Sequence, residues 1–325
     1  MRTARALWLV DRLQAELREE PVGDCFEDEV IIESLFTGVS RGTESLVANG
    51  AVPPGEFERM RAPLQSGAFP FPVKYGYAAV GEIVAGAPDR IGQTVFCLHP
   101  HQDVFRAPAQ MAVVVPDAVP ASRAVLAANM ETALNGVWDA GIMPGDTVAV
   151  IGGGVVGLLM AFLAAKVAGT DVAIVDVNPS RRVIGEMFGC RFLSPDETGP
   201  LAGQADVVIH TSASAAGLTT AISLAAFEAK VVEMSWFGHA DVGISLGGAF
   251  HSQRLSIVAS QVGHVPPSRR ARWPLSRRLA KALELLNDSR LDHFVSGETD
   301  FDILPDRYGA ILADPDTLCH RIRYR

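Results

Sequence analysis

Residues 148–182, VAVIGGGVVGLLMAFLAAKVAGTDVAIVDVNPSRR, restrict the fold more than any other part of the chain. Val148 to Ile151 is an apolar, β-branched run that reads as a buried parallel strand. Glycines follow at 152, 153, 154 and 157. Val155 to Ala168 is apolar, contains small residues and no proline, and reads as a helix. Asp171 to Val175 reads as the next strand, and Asp176 closes it. Gly152, Gly154 and Gly157 fill the pattern G-x-G-x-x-G, and the acid follows about 20 residues on. Gly152 permits the tight turn. Gly154 has no side chain, so a pyrophosphate can approach the backbone. Gly157 lets the helix sit close to the strand. The helix N-terminus, opened by Val155 and Val156, offers free N–H groups and a partial positive charge to phosphates. A glycine-rich turn of some other α/β protein is the alternative, but the flanking strands and the acid favour a dinucleotide.

Asp176 also bears on which dinucleotide. A carboxylate at this strand end accepts hydrogen bonds from the ribose hydroxyls of NAD and repels the 2′-phosphate of NADP. Val177 and Asn178 continue the same turn. Arg181 and Arg182 follow, and an arginine there can hold that phosphate. NAD is the expectation, with NADP as the second choice. His210 ends a later predicted strand and is expected near a ribose of the cofactor, a solvated strand-end histidine being the alternative. Trp236 and Phe237, with His239, follow a strand whose carboxyl end faces the ligand crevice. They are expected to wall the nicotinamide and substrate pocket.

The 325 residues suggest two domains, and with 48% hydrophobic and 20% charged residues there is apolar material for both cores. A net charge of −9 argues against nonspecific binding to nucleic acid or to an acidic membrane. The four cysteines, Cys25, Cys97, Cys190 and Cys319, are far apart in sequence and form no C-x-x-C. Neither a disulfide framework nor a cysteine zinc knot is suggested. The apolar run in MRTARALWLVDR is too short for a signal peptide, and no stretch is long and apolar enough to cross a bilayer. A soluble, cytoplasmic protein is expected.

Residues 1 to about 120 read as short strands and turns. The strands are Ala4 to Val10, Glu29 to Ser34, Ala78 to Ala85, Thr94 to Leu98 and Gln110 to Val115. Residues 50–76, rich in Gly and Pro and carrying Phe69, Phe71 and Tyr75, predict a long irregular loop. From Ser122 the pattern changes, with a helix over Ala124 to Asp139. Beyond Asp176, helix and strand alternate. Arg181 to Phe188 and Ala215 to Ala226 are helices; Asp206 to His210, Lys230 to Trp236 and Ser256 to Gln261 are strands. Such alternation gives a parallel sheet with helices on both faces. A basic stretch, Arg269-Arg270-Ala271-Arg272-Trp273, precedes a helix over Leu275 to Leu286. It suits a solvated or subunit-contacting face better than an anion site. No internal repeat or low-complexity tract occurs.

This layout resembles the medium-chain dehydrogenase/reductase superfamily, the alcohol dehydrogenase architecture, over nearly the whole chain. Met130-Glu131-Thr132-Ala133-Leu134 resembles the helix that begins its cofactor domain, and Pro144-Gly145-Asp146 the turn before its first nucleotide-binding strand. The resemblance implies an α/β fold in two parts. A GroES-like β-rich catalytic domain would span 1–128 and be completed by 266–325. A doubly wound Rossmann domain would span 129–265. It also implies a homodimer joined edge to edge through strands near 231–236 and 255–262.

The departures from the family shape the expected chemistry. Its zinc enzymes carry Cys where this chain has Ser40, Gly-His-Glu where it has Gly76-Tyr77-Ala78, and Cys or Glu near Ala128. Residues 97–110 contain a single Cys, so the structural zinc lobe is missing as well. Ser and Ala supply no zinc ligand and Tyr is a poor one, so a zinc-less member is expected. His99, His101 and Asp103 have the spacing of a substitute site, although Pro100 interrupts it. Gly38-Val39-Ser40-Arg41-Gly42-Thr43-Glu44 is similar to a motif of the bacteriochlorophyllide hydroxyethyl dehydrogenase group. That similarity implies an alcohol or ketone on a bulky, ring-containing metabolite.

Without a cation, a side chain must hold the substrate oxygen and handle its proton. Tyr77, in the place of a zinc ligand, is the first candidate, with a packed aromatic as the alternative. Its ordinary pKa of about 10 suits donation to a carbonyl, and Lys74 or Arg41 nearby would lower it. By resemblance, Thr43 corresponds to the family's proton relay, Glu44 to the structural acid after it, and Arg41 to a cofactor-phosphate ligand. Ser40 is a further catalytic candidate or only a turn residue. The expected activity is a zinc-independent NAD(H) dehydrogenase or ketoreductase acting on a small molecule. An NADPH-dependent quinone or enoyl reductase and a noncatalytic nucleotide sensor are the alternatives.

Overall fold

Alternation of strand and helix in the middle of the chain produces a six-stranded sheet. Arg191–Leu193, Asp171–Val175, Thr147–Ile151, Ala205–His210, Ala225–Glu233 and Ser256–Ala259 lie side by side in that order. All neighbours are parallel. Counted along the chain this is the order 3-2-1-4-5-6, in which the winding direction reverses between strands one and four. Those two are Thr147–Ile151 and Ala205–His210, so a crevice opens at their carboxyl ends, beside Gly152 and Thr211. Val148, Ala149, Val150, Ala173, Ile174, Val208 and Ile209 are fully or almost fully buried. That explains the unbroken apolar runs, because a parallel strand covered on both faces has no solvated side.

The sheet belongs to one compact unit, Asn129–Arg278. The chain up to Ala128 and Leu279–Arg325 form the other. The computed structural model describes residues 2–325. Among these no helix is long and apolar enough to cross a membrane.

Several element bounds differ from the sequence expectation, two of them in the cofactor-type sheet and its first helix. The glycine-turn helix, Val155–Ala164, stops four residues early, and a turn leads to Gly169 at φ +75°. The strand expected at Lys230 to Trp236 is Ala225–Glu233. It follows directly on the helix Ala215–Leu224, and its ladder slips between the pairs Ala205–Ala225 and Val207–Lys230. Glu228, at φ +61°, lies in that slip.

The other unit is mostly β. Val295–Asp300, Cys319–Arg323, Glu29–Ser40, Ala79–Ala85, Thr94–Cys97 and Val113–Val114 form one sheet, and Val104–Pro108 also pairs with Glu29–Ser40. Gln14–Pro21, Thr3–Asp11, Val73–Lys74 and Ser66–Gly67 form a second. Val30, Ile32, Ile83, Val95 and Phe105 are among the residues packed in its core. Residues 50–76 hold only a short helical turn, Pro54–Glu56, and two strands of two residues, as their Gly and Pro content predicts. Two features position the candidate site. The long strand Glu29–Ser40 runs directly into a helix, Arg41–Ala48, where a turn was expected. The C-terminal strand Cys319–Arg323 returns antiparallel to it and places Cys319 opposite Ser40. The architecture is therefore α/β: a GroES-like β-rich unit and a Rossmann-type parallel sheet.

Candidate active site

The glycine turn is built for close approach. Gly152 sits at φ +109°, and a Cβ there would fall 2.7 Å from the Ser212 amide nitrogen. A Cβ on Gly157 would fall 1.9 Å from the Gly152 carbonyl oxygen, so only glycine lets the helix meet the strand. Nothing lies within 4 Å of a Cβ built on Gly154, the N-cap of Val155–Ala164. The space in front of the helix N-terminus is open, and its first N–H groups face it without helical acceptors. Val155 is buried and Val156 half-buried behind this opening.

Asp176 is held against the same turn. Its Oδ2 accepts from the Gly153 N–H at 2.5 Å and its Oδ1 from the Asn178 N–H at 2.7 Å. Each carboxylate oxygen retains a lone pair for a ribose hydroxyl. Val177 is 84% exposed beside it, an apolar surface next to the acid. Arg181 is buried, its stem 3.1 Å from where a Gly153 Cβ would be. The open cradle and the fixed acid fit a dinucleotide.

His210 differs from expectation. It is fully buried, and both ring nitrogens are engaged within the protein, Nδ1 with Glu233 at 2.7 Å and Nε2 with Ser212 at 2.7 Å. No ring nitrogen is left to contact a ribose directly. Phe237 lies near-parallel to the imidazole at 6.2 Å, and both Trp236 and Phe237 are half-buried just past their strand. The basic stretch packs on tryptophan. Arg269 lies over Trp138, Trp138 meets Trp273 at 4.9 Å, and Arg277 lies 3.9 Å over Trp273.

A second cluster, in the β-rich unit, gathers the hydroxyl candidates. The Ser40 and Thr43 hydroxyls lie near enough to the phenol of the half-buried Tyr77 to favour its charged form. Ser40 is the N-cap of Arg41–Ala48 but makes no side-chain cap bond. Burial, and then the charge of Glu44, push the Tyr77 phenol up to about 12, against the opposing pull of the Ser40 and Thr43 hydroxyls. Tyr77 is thus a proton donor throughout the neutral range. Arg41 donates its Nε to the Leu312 carbonyl at 3.1 Å, a contact inside this unit, where a phosphate ligand was expected. Lys74 is buried and bonded to Glu20 and Gln102.

Glu44 anchors the cluster in a way the sequence did not show. It is fully buried. Its Oε1 accepts from the Ser40 N–H at 2.7 Å, and its Oε2 meets Tyr308 Oη at 2.7 Å and His101 Nε2 at 3.0 Å. His101 Nδ1 bonds Thr37 Oγ1 at 2.7 Å, and Thr37 meets Tyr324 Oη at 3.1 Å. No local pattern marks Thr37, Tyr308 or Tyr324, because strand and helix bring them from both ends of the chain.

The donor set does not fit a zinc ion. Ser40 and Tyr77 offer only hydroxyls, and the Ala128 side chain has no donor atom. His99, His101 and Asp103 do not converge. His99 stacks on Phe105 at 3.8 Å with Nδ1 bonded to the Pro100 carbonyl oxygen, His101 is engaged at both nitrogens, and Asp103 pairs with Arg5. Cys97 and Cys319 are buried, and burial pushes their thiols up to about 12. Among the described residues no group of three or more His, Cys, Asp or Glu is arranged to hold a metal ion.

No family model matches the chain. It is 32% identical over 170 residues to the D-guloside 3-dehydrogenase of Escherichia coli K12, covering 49% of this chain and 48% of that protein. It is 31% identical over 189 residues to the 2-desacetyl-2-hydroxyethyl bacteriochlorophyllide A dehydrogenase of Cereibacter sphaeroides, covering 51% and 53%. The chain thus spans about half the length of the curated relatives it matches. Among solved structures, the L-idonate 5-dehydrogenase of Escherichia coli K-12 superposes over 99% of both chains with a TM-score of 0.82 at 13% identity. With its Rossmann-type sheet and its GroES-like unit, the chain has the fold of the alcohol dehydrogenase-like, medium-chain dehydrogenase/reductase superfamily.

Proposed function

We propose that the protein is a zinc-independent, NAD(H)-dependent dehydrogenase or ketoreductase. Its substrate would be an alcohol or ketone on a bulky, ring-containing metabolite. The observation that carries this reading is the buried Tyr77 phenol, kept protonated beside the Ser40 and Thr43 hydroxyls, at a position that the family resemblance aligns with a metal ligand. A bound nicotinamide dinucleotide would supply the hydride acceptor or donor. Gly152, Gly154 and Gly157 leave room for its pyrophosphate, and Asp176 takes its ribose hydroxyls. Tyr77 would donate its proton to the substrate oxygen, and Ser40 and Thr43 would relay a replacement proton to it from solvent. The substrate class draws on the relatives, whose names describe dehydrogenation of a guloside and of a hydroxyethyl bacteriochlorophyllide.

Turnover of ring-bearing ketones with NADH in preference to NADPH is the expected result of a substrate panel. NADH binding without turnover across a broad panel would favour a nucleotide-binding sensor instead. We also propose a homodimer formed through Ser256–Ala259, which ends the parallel sheet with one unpaired edge. Sedimentation as a monomer at micromolar concentration would contradict it.

A further inference from the structure

The carboxyl ends of Ala205–His210 and Ala225–Glu233 bring a serine, a histidine and a glutamate into one hydrogen-bonded line. Ser212 Oγ lies 2.7 Å from His210 Nε2, and His210 Nδ1 lies 2.7 Å from Glu233 Oε2. A carboxylate only accepts, so Nδ1 carries the imidazole proton and Nε2 offers its lone pair to the serine hydroxyl. That is the tautomer a general base needs. The other Glu233 oxygen accepts from the Ser235 N–H at 2.7 Å, which fixes the carboxylate. Ser212 is half-buried, so a small electrophile can reach it.

The helix Ala215–Leu224 passes this line at a glycine. A Cβ on Gly217 would fall 2.1 Å from Ser212 Oγ and 2.9 Å from His210 Nε2. Glycine is a poor helix former, yet only a bare residue lets the serine and histidine close at this point. The serine stands on a strand-to-helix turn and is followed by Ala213 at φ +51°, a conformation uncommon for alanine. Ser214 caps the helix by accepting from the Gly217 N–H at 3.0 Å and contacts Ser212 Oγ at 3.0 Å. The N–H groups of Ala215 and Ala216, in the first turn, have no helical acceptor and can serve as oxyanion donors.

We propose that Ser212 is an activated nucleophile that takes acyl groups from small activated esters, with His210 as its base and Glu233 as a positioning residue. Ser212 Oγ bonds to the ester carbonyl carbon as its proton passes to His210 Nε2. The ester C–O bond breaks, and His210 returns the proton to the departing alkoxide. Water, deprotonated by His210, then attacks the acyl carbon, releasing a carboxylic acid and restoring the serine. No oxidant or reductant takes part, and the step does not depend on hydride transfer.

The test uses an alkyl fluorophosphonate, which forms a stable bond to an activated serine as fluoride leaves. The full chain, without dinucleotide, is expected to gain one phosphonyl group on the peptide bearing Ser212. Its rate should exceed that of the urea-unfolded chain by about 100-fold, the low end of what a positioned base contributes. Ser212→Ala should lose the adduct, and Gly217→Ala should slow it. Glu233→Gln should lower the bond-forming rate constant but leave the concentration for half-saturation by the probe unchanged, a split that general loosening of the fold would not produce. If Ser212→Ala fails to fold, the wild-type peptide map still decides. No adduct on Ser212, or a rate equal to that of the unfolded chain, overturns the proposal.

Discussion

All four tyrosines of the chain belong to the hydroxyl cluster or its buried surroundings, which makes alkaline titration a direct probe of it. Burial is the largest cause in each case. It holds Tyr75, Tyr308 and Tyr324 above the ordinary phenol range and Tyr77 at about 12. In the unfolded chain each should ionise near pH 10, as a free phenol does. Above that pH the unfolded state binds fewer protons than the native state, so stability falls as pH rises. For Tyr77 the rise to about 12 corresponds to roughly 2–3 kcal/mol, fully present below pH 10 and lost by about pH 12. Ultraviolet difference titration of the native protein should therefore show no tyrosinate through pH 10, and the urea-unfolded protein should show four. Glu44→Gln, which keeps the shape and removes the charge, should move the Tyr77 step down but leave it above 10, because burial is the larger cause. Comparison with Tyr77→Phe identifies that step. A tyrosine titrating near pH 10 in the native protein, or a Tyr77 step indifferent to Glu44→Gln, would refute the electrostatic account.

Tyr77→Phe should lower kcat by about 100-fold or more, the scale of removing one hydrogen-bond donor to a developing oxyanion, with NADH affinity unchanged in a fluorescence titration. A loss of NADH affinity with kcat intact would remove Tyr77 from the chemistry. Asp176→Ala should weaken NADH binding by roughly 10- to 100-fold, the worth of hydrogen bonds to a charged group, without weakening NADPH. Equal losses for both would show that the acid does not select the cofactor. His99, buried against Phe105, has its imidazole pushed down to about 3. Below its unfolded pKa of about 6.5 the unfolded state binds more protons, so stability falls as pH drops toward 3, by roughly 4–5 kcal/mol in full. His99→Phe keeps the stack and should flatten that fall in urea titrations at successive pH values. An unchanged slope would contradict it.

The parallel sheet was the most legible part of the chain. Strand Asp171–Val175 matches its sequence pattern residue for residue, because Val172 to Val175, buried on both faces, are apolar without a break. The helix after the glycines was overextended because Val167 and Ala168 are as apolar as the helix before them, and no proline marks its end. Strand Gln14–Pro21 was invisible, since QAELREEP carries charge on both faces and is held by its register with Thr3–Asp11. Helix Arg41–Ala48 was hidden by Gly42, which reads as a turn. Ser40, Thr43, Glu44 and Tyr77 could be named from the sequence, whereas the partners that hold Glu44 could not. Glu44, His101, Tyr308 and Tyr324 meet only because the C-terminal strand pairs back onto Glu29–Ser40. Pairings of that length leave no periodic trace.

The most direct measurement is the metal content of fully active, purified protein, followed through chelation. The hydroxyl cluster predicts substoichiometric metal and the same turnover before and after chelator treatment. Zinc at one ion per chain, lost together with activity and restored with it, would contradict the account.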